Sequence, residues 1–150
     1  MDSIDKKILA VLQENGRISL TELADMVNIS LSPCQRRVRA MEQAGVIDGY
    51  RARLNPNRVG LNFSAMVFVM LKEVSHEPAE RFEQAIKDIP EIVQADRLFG
   101  ETDYLLHITT RDLDSFQVLY DRRLVHLPNV QRMTSTLVMK KVIPPRGLPL

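Results

Sequence analysis

The stretch Ser19-Leu20-Thr21-Glu22-Leu23-Ala24-Asp25-Met26-Val27-Asn28-Ile29-Ser30-Leu31-Ser32-Pro33-Cys34-Gln35-Arg36-Arg37-Val38-Arg39-Ala40-Met41 decides the reading of the chain. Ser19 and Glu22 stand three apart, as a capping box requires, and Leu20, Leu23, Ala24 and Val27 follow at helical spacing. Asn28-Ile29-Ser30-Leu31 reads as a turn. Ser32 then reads as a second N-cap, with Pro33 at the first helical position and Gln35 as its box partner. Cys34, Val38 and Met41 make an apolar stripe, and Gly45 is placed to end the helix. Two helices joined by so short a turn suggest a helix-turn-helix. The third helix also carries Gln35, Arg36, Arg37 and Arg39 in its first two turns, the end that enters a major groove in such motifs.

Working outward, Ile4, Ile8, Leu9 and Leu12 predict a helix beginning after Asp2 and stopped near Gly16. Charge supports a nucleic-acid partner. Residues 35–58 hold six arginines (Arg36, Arg37, Arg39, Arg51, Arg53, Arg58) against Glu42 and Asp48, although the whole chain has a net charge of only +1. Val46 to Leu54 predicts a strand interrupted at Gly49. A turn at Asn55-Pro56-Asn57 divides the chain into an N-terminal domain, 1–57, and a second domain, 58–150.

The second half has a different rhythm. Strands are expected at 65–71, 92–99, 104–109 and 134–143, with helices begun near Pro78 and running from Asp112 to Leu127. The order βαββαβ predicts a ferredoxin-like sandwich, so the whole chain is α+β. Along the first strand Ala65, Val67, Val69 and Leu71 alternate with Met66, Phe68 and Met70. In the last strand Val138 and Val142 oppose Leu137, Met139 and Ile143. With both faces apolar, the helix-free face needs a cover, and a second copy related by a two-fold axis is the simplest.

These residues resemble the Lrp/AsnC, or feast/famine, regulators. The likeness is carried by Leu23-Ala24-Asp25-Met26-Val27, by Leu31 through Arg39, by Gly45-Val46-Ile47 and by Tyr50 through Pro56. It is carried again by Gly100-Glu101-Thr102-Asp103-Tyr104, which matches the family's Gly-x-x-Asp-Tyr turn. Asn28 stands where the family often has glycine; asparagine also tolerates a left-handed backbone. The resemblance implies a transcriptional regulator of double-stranded DNA, modulated by a small effector, usually an amino acid. It implies homodimers joined through their sheets and assembling to octamers, with effectors beside the turn between dimers. The expected DNA contacts are Ser30, Ser32, Pro33, Gln35, Arg36, Arg37 and Arg39. The expected effector contacts are Gly100, Glu101, Thr102, Asp103 and Tyr104, with Ser135 and Thr136 added as hydroxyl residues early in an apolar strand. Gly100 would let backbone N–H groups approach a carboxylate, and Asp103 would accept from an ammonium. The same two residues would serve a plain hairpin turn equally well.

Other classes find little support. His76, His107 and His126 have no partner at metal-ligand spacing, and no phosphate loop or nucleophile–base signature occurs, so neither an enzyme nor a cofactor is expected. The sandwich lacks the exposed stacking aromatics of an RNA binder. Cys34, the single cysteine among 150 residues, reads as a packing residue of the third helix. With no apolar signal core after Met1-Asp2-Ser3-Ile4-Asp5 and no bilayer-length apolar run, the expected location is the cytoplasm, at the nucleoid and away from membranes.

Overall fold

The computed structural model describes residues 1–150. They divide into two units, one of Met1–Arg53 with Val142–Leu150, the other of Leu54–Lys141. Residues 142–150, expected in the second domain, thus group with the first.

The first unit contains α1 (Ser3–Glu14), α2 (Leu20–Met26) and α3 (Leu31–Gln43). Asp2 caps α1, its carboxylate accepting from the N–H groups of Ile4 and Asp5, while the Asp5 carboxylate accepts from the Asp2 N–H. Ser19 and Glu22 form the expected box at the start of α2. The core is Ile8, Leu9, Leu23, Ala24, Val27, Cys34, Val38 and Met41. Burial pushes the Cys34 thiol above its ordinary pKa, which suits a packing residue rather than a reactive one.

Two expectations for this unit are corrected. The N-cap of α3 is Ser30, not Ser32, and no side-chain cap bond forms there. The Cys34 N–H donates to the Ser30 carbonyl at 3.2 Å and closes the first turn two residues early. Pro33 fits at the third helical position because that residue's N–H would have no intrahelical partner. The turn between α2 and α3 is correspondingly short, and Asn28 takes the left-handed backbone it needs, with φ 57°. The expected strand at 46–54 does not form. The N–H groups of Val46 and Ile47 return to the Met41 carbonyl, and residues 48–54 pair with no strand of the chain. Tyr50 fixes this segment instead. Its ring lies beside Gly16, where a Cβ would come within 3.4 Å of it, and its hydroxyl donates to Glu42 at 3.0 Å. Burial, then that bond, raises the Tyr50 pKa.

The second unit is a four-stranded antiparallel sheet in the order β2-β3-β1-β4, built from β1 (Phe63–Leu71), β2 (Ile92–Arg97), β3 (Tyr104–Thr110) and β4 (Val130–Leu137). Helices α4 (His76–Lys87) and α5 (Leu113–Arg122) cover one face, which gives the ferredoxin-like sandwich expected from βαββαβ. Ala65, Val67, Val69 and Leu71 of β1 and Tyr104, Leu106 and Ile108 of β3 bury that face against Phe82, Ile86, Phe116 and Leu119. Each buried Val, Leu or Ile among them contributes about 1.5–3 kcal/mol by leaving water.

The ends of the elements differ from expectation for identifiable reasons. Strand β4 stops at Leu137 rather than Ile143. Val138 makes one last bond to the Ser64 carbonyl at 3.0 Å, and β1 offers little partner beyond that point. Helix α5 ends at Arg122 and gives way to a 3-10 turn, Leu124–His126. Pro128 forces Leu127 out of the helical region, to ψ 136°. The helix-free face is also less apolar than expected. Met66, Phe68, Met70 and Leu105 form its half-buried centre, but Thr134, Thr136 and Arg132 on β4 and Gln94 and Asp96 on β2 frame it with polar groups.

Candidate functional site

Two surfaces concentrate the chemistry, one in each unit. In the first, α3 turns Cys34, Val38 and Met41 inward and leaves Ser32, Arg36, Arg39, Ala40 and Gln43 exposed along the opposite face. Ser30 at the cap is exposed as well, while Pro33 and Gln35 are half-buried at its edge. Arg36 and Arg39 form no ion pair within the chain, so their charge is free for an external anion. Arg37 is placed differently. Its Nη1 lies 2.7 Å from both Asp2 and Asp5, tying α3 to the start of α1. The backbone bonds of the capping box and then the Arg37 guanidinium hold both carboxyls below the ordinary range.

In the second unit, the segment joining β2 to β3 presents Gly100, Glu101 and Thr102 at the sheet's end. Asp103 anchors it. Its Oδ2 accepts from the Leu71 N–H at 2.7 Å, its N–H donates to the Val69 carbonyl at 2.9 Å, and its carbonyl accepts from Leu98 at 2.7 Å. The end of β1 is stitched a second time by Asn129, which stands at φ 62°. Its side-chain amide bonds both the N–H and the carbonyl of Glu73. Asp103 is thus pinned to the end of β1, with its second carboxylate oxygen unused by the chain. Tyr104 comes next but faces the helices. Its ring packs on Phe82 at 4.8 Å and its hydroxyl donates to Glu83 at 2.6 Å. Burial first, then that carboxylate, pushes the Tyr104 pKa up to about 12. Arg97 lies 3.7 Å from Glu83, and the three side chains edge a groove of about 330 Å³ between α4 and β2.

The predicted effector residues therefore separate into two groups. Gly100 to Tyr104 are continuous, but Ser135 and Thr136 sit opposite Val67 and Met66 on β4. That is four to five residues along β1 from Leu71, roughly 13–17 Å at strand rise. Within one chain they do not join the turn. Glu83 was not anticipated as a partner of Tyr104. The available signal was general: a tyrosine expected in a core strand requires an acceptor for its hydroxyl. No three His, Cys, Asp or Glu side chains converge as a metal site would need.

Both halves of the chain have counterparts among known proteins. Residues 1–48 match a winged helix-turn-helix DNA-binding domain, and residues 64–148 match the Lrp/AsnC ligand binding domain. The chain belongs to the Lrp/AsnC family. It is 40% identical to the leucine-responsive regulatory protein of Rhizobium meliloti over 95% of its own length and 91% of that protein's. It is 37% identical to the proline dehydrogenase transcriptional activator of Rhodobacter capsulatus over 95% and 93% of the two lengths. Among solved structures, a transcriptional regulator from Neisseria meningitidis in complex with L-Met superposes with a TM-score of 0.94 at 36% identity, covering 99% of this chain and 96% of that one. An AsnC family regulator from Agrobacterium tumefaciens also gives 0.94, at 32% identity and 99% and 97% coverage. This Lrp/AsnC protein is a DNA-binding transcriptional regulator with a ligand-binding domain. None of its helices is long and apolar enough to cross a membrane.

Proposed function

We propose that this regulator reads double-stranded DNA with residues 1–57 and responds to an amino acid held by residues 58–150. The observation that carries the effector class is the Neisseria meningitidis relative, solved with L-Met on a fold that matches this one along nearly its whole length. The site proposed is the turn Gly100–Asp103, with Tyr104 buried on the helix side behind it. Backbone groups at Gly100 and the Thr102 hydroxyl meet the ligand carboxylate, and the free oxygen of Asp103 accepts from its ammonium, with Glu101 as a neighbouring carboxylate. Ser135 and Thr136 reach such a ligand only from another copy of the chain.

Reading proceeds through the exposed face of α3. Arg36 and Arg39 bring uncompensated charge to phosphates and base edges, Ser30, Ser32 and Gln35 supply neutral donors, and Pro33 shapes the entry turn. Arg37 holds the helix in place from behind. The protein acts as a homodimer joined through the helix-free sheet face, whose apolar centre and polar rim match the pattern of protein interfaces, with dimers assembling to an octamer. Effector at the turn shifts that assembly or the spacing of the reading helices, and so changes DNA affinity by linkage. It works in the cytoplasm, at the nucleoid. A thermal-shift screen of the twenty amino acids tests the effector class: at least one raises the melting temperature in proportion to the logarithm of its concentration. A flat response to all of them removes this reading.

A further inference from the structure

Residues 142–150 belong to neither the reading face of α3 nor the turn at 100–104, yet they are held in a specific way. Apolar burial does not hold them: Val142, Ile143, Leu148 and Leu150 are all exposed. The attachment is to main chain. The Gln13 side-chain amide of α1 donates from Nε2 to the Leu148 carbonyl at 3.2 Å, and the Leu148 N–H donates back to Gln13 Oε1. A primary amide offers a donor and an acceptor in one plane, so it can satisfy both backbone groups of one residue, as a neighbouring strand would. Gly147 completes the fit. A Cβ there would lie 3.1 Å from Gln13 Cδ and Oε1, so glycine lets the main chain come this close while any larger residue would make the amide give by a few tenths of an ångström. Pro144, Pro145 and Pro149 restrict the segment when it is free, which reduces the entropy lost on docking. They also leave few N–H groups to compete for the clamp.

We propose that α1 carries a binding surface for extended polypeptide main chain, centred on Gln13, and that its occupant is residues 142–150 of the same chain. The covalent chain passes between the two units at Arg53/Leu54 and again at Lys141/Val142. With the segment seated, the DNA-reading unit is connected to the effector unit at two points; with it released, at one. A contact made by one amide and no buried apolar side chain is weak enough to open and close. The seated segment narrows the orientations of the reading helix, and its release widens them.

Three measurements on the protein and its variants test this without knowledge of the operator or effector. Gln13→Cys/Gly147→Cys places two Cβ atoms about 3.2 Å apart, close to the separation of about 3.5–4.5 Å in disulfides. Cys34 is fully buried and does not compete. Mild oxidation gives a cross-link within one chain, read on a non-reducing denaturing gel. A cross-link between chains, or none, overturns the proposal. Trypsin cleavage after Arg146 accelerates several-fold in Gln13→Ala, while cleavage after Lys140 and Lys141 does not change. Equal rates after Arg146 overturn it. Gln13 is exposed and alanine is a better helix former, so this variant folds. Finally, a dye on Lys6→Cys, exposed on α1, reports local reorientation by time-resolved anisotropy. Its fast component grows when the chain is cut back to Lys141 or when Gln13→Ala is added. An unchanged decay means that the segment does not restrain the reading unit.

Discussion

Asp103 is asked to do two things, and the structure lets them be separated. Its Oδ2 accepts from the N–H of Leu71, a residue 4% exposed, and its other oxygen is the acceptor proposed for the effector's ammonium. Asp103→Ala removes both. It leaves the part-buried Leu71 N–H without its partner, and loss of a hydrogen bond to a charged group costs about 1.5–3 kcal/mol. For a unit of the size of Leu54–Lys141, each kcal/mol shifts the melting temperature by about 4–8 °C. The alanine variant is therefore expected to melt roughly 10 °C lower. Asp103→Asn retains an oxygen that accepts from Leu71 but gives up the charge. It is expected to melt within a few degrees of wild type while its affinity for the amino acid found by thermal screening falls at least about tenfold, or about 1.4 kcal/mol. Calorimetric melting with isothermal titration reads both quantities. If asparagine destabilises as much as alanine, the staple requires charge and its strength has been misjudged. If asparagine binds the amino acid as wild type does, the ammonium is held elsewhere. The double variant Glu101→Gln/Asp103→Asn then decides whether Glu101 takes its place.

Arg36→Ala and Arg39→Ala should each lower the slope of log affinity against log salt by about one if they meet phosphates, or cost about 1–3 kcal/mol and relax sequence preference if they meet bases. Fluorescence titration on a duplex selected by the protein from random sequence reads both effects, and unchanged behaviour in both variants would exclude α3 as the reading helix. Phe68→Asp puts a carboxylate at the half-buried centre of the helix-free face; light scattering should find dissociated or aggregated protein, and an unaltered oligomer of normal stability refutes the sheet-to-sheet dimer. Asp2 and Asp5 have pKa values below the ordinary 3.8, so the folded state binds fewer protons than the unfolded one. Their contribution is complete above about pH 5 and disappears as pH falls through 3.8 and below; Arg37→Ala should reduce this acid sensitivity in urea melts, and an identical pH profile would show that Arg37 does not set it.

Much of this was legible in the sequence because local rules and burial agree there. The Ser19/Glu22 box, the stripe Cys34, Val38, Met41 and the alternation of β1 each specify their element without help from distant residues. The misreadings share a cause. Ser32-Pro33 looks like a helix start, but the length of the turn after Asn28 places the cap at Ser30. Residues 46–54 have strand composition without a strand to pair with, and 138–143 outrun the partner that β1 offers. Strand propensity states what a segment tolerates; the neighbouring backbone decides whether a strand exists. The site was legible in part for the same reason. The turn 100–104 could be found from its motif, and the outward arginines from helical spacing. The engagement of Arg37 by Asp2 and Asp5, of Tyr104 by Glu83 and of Asp103 by Leu71 depends on contacts between residues far apart in sequence, which no local pattern encodes.

Regulation here requires one coupling, that a ligand of the second unit changes what the first does to DNA. It is measured by titrating the whole chain against its selected duplex with and without a saturating concentration of the amino acid that stabilises it, at fixed salt. DNA affinity is expected to change by about fivefold or more, and bound duplex to change the affinity for the amino acid by the same factor, as linkage requires. Identical DNA affinity with and without the amino acid, at concentrations that demonstrably saturate the protein, would mean that the two units are not coupled and that the amino acid does not regulate DNA binding.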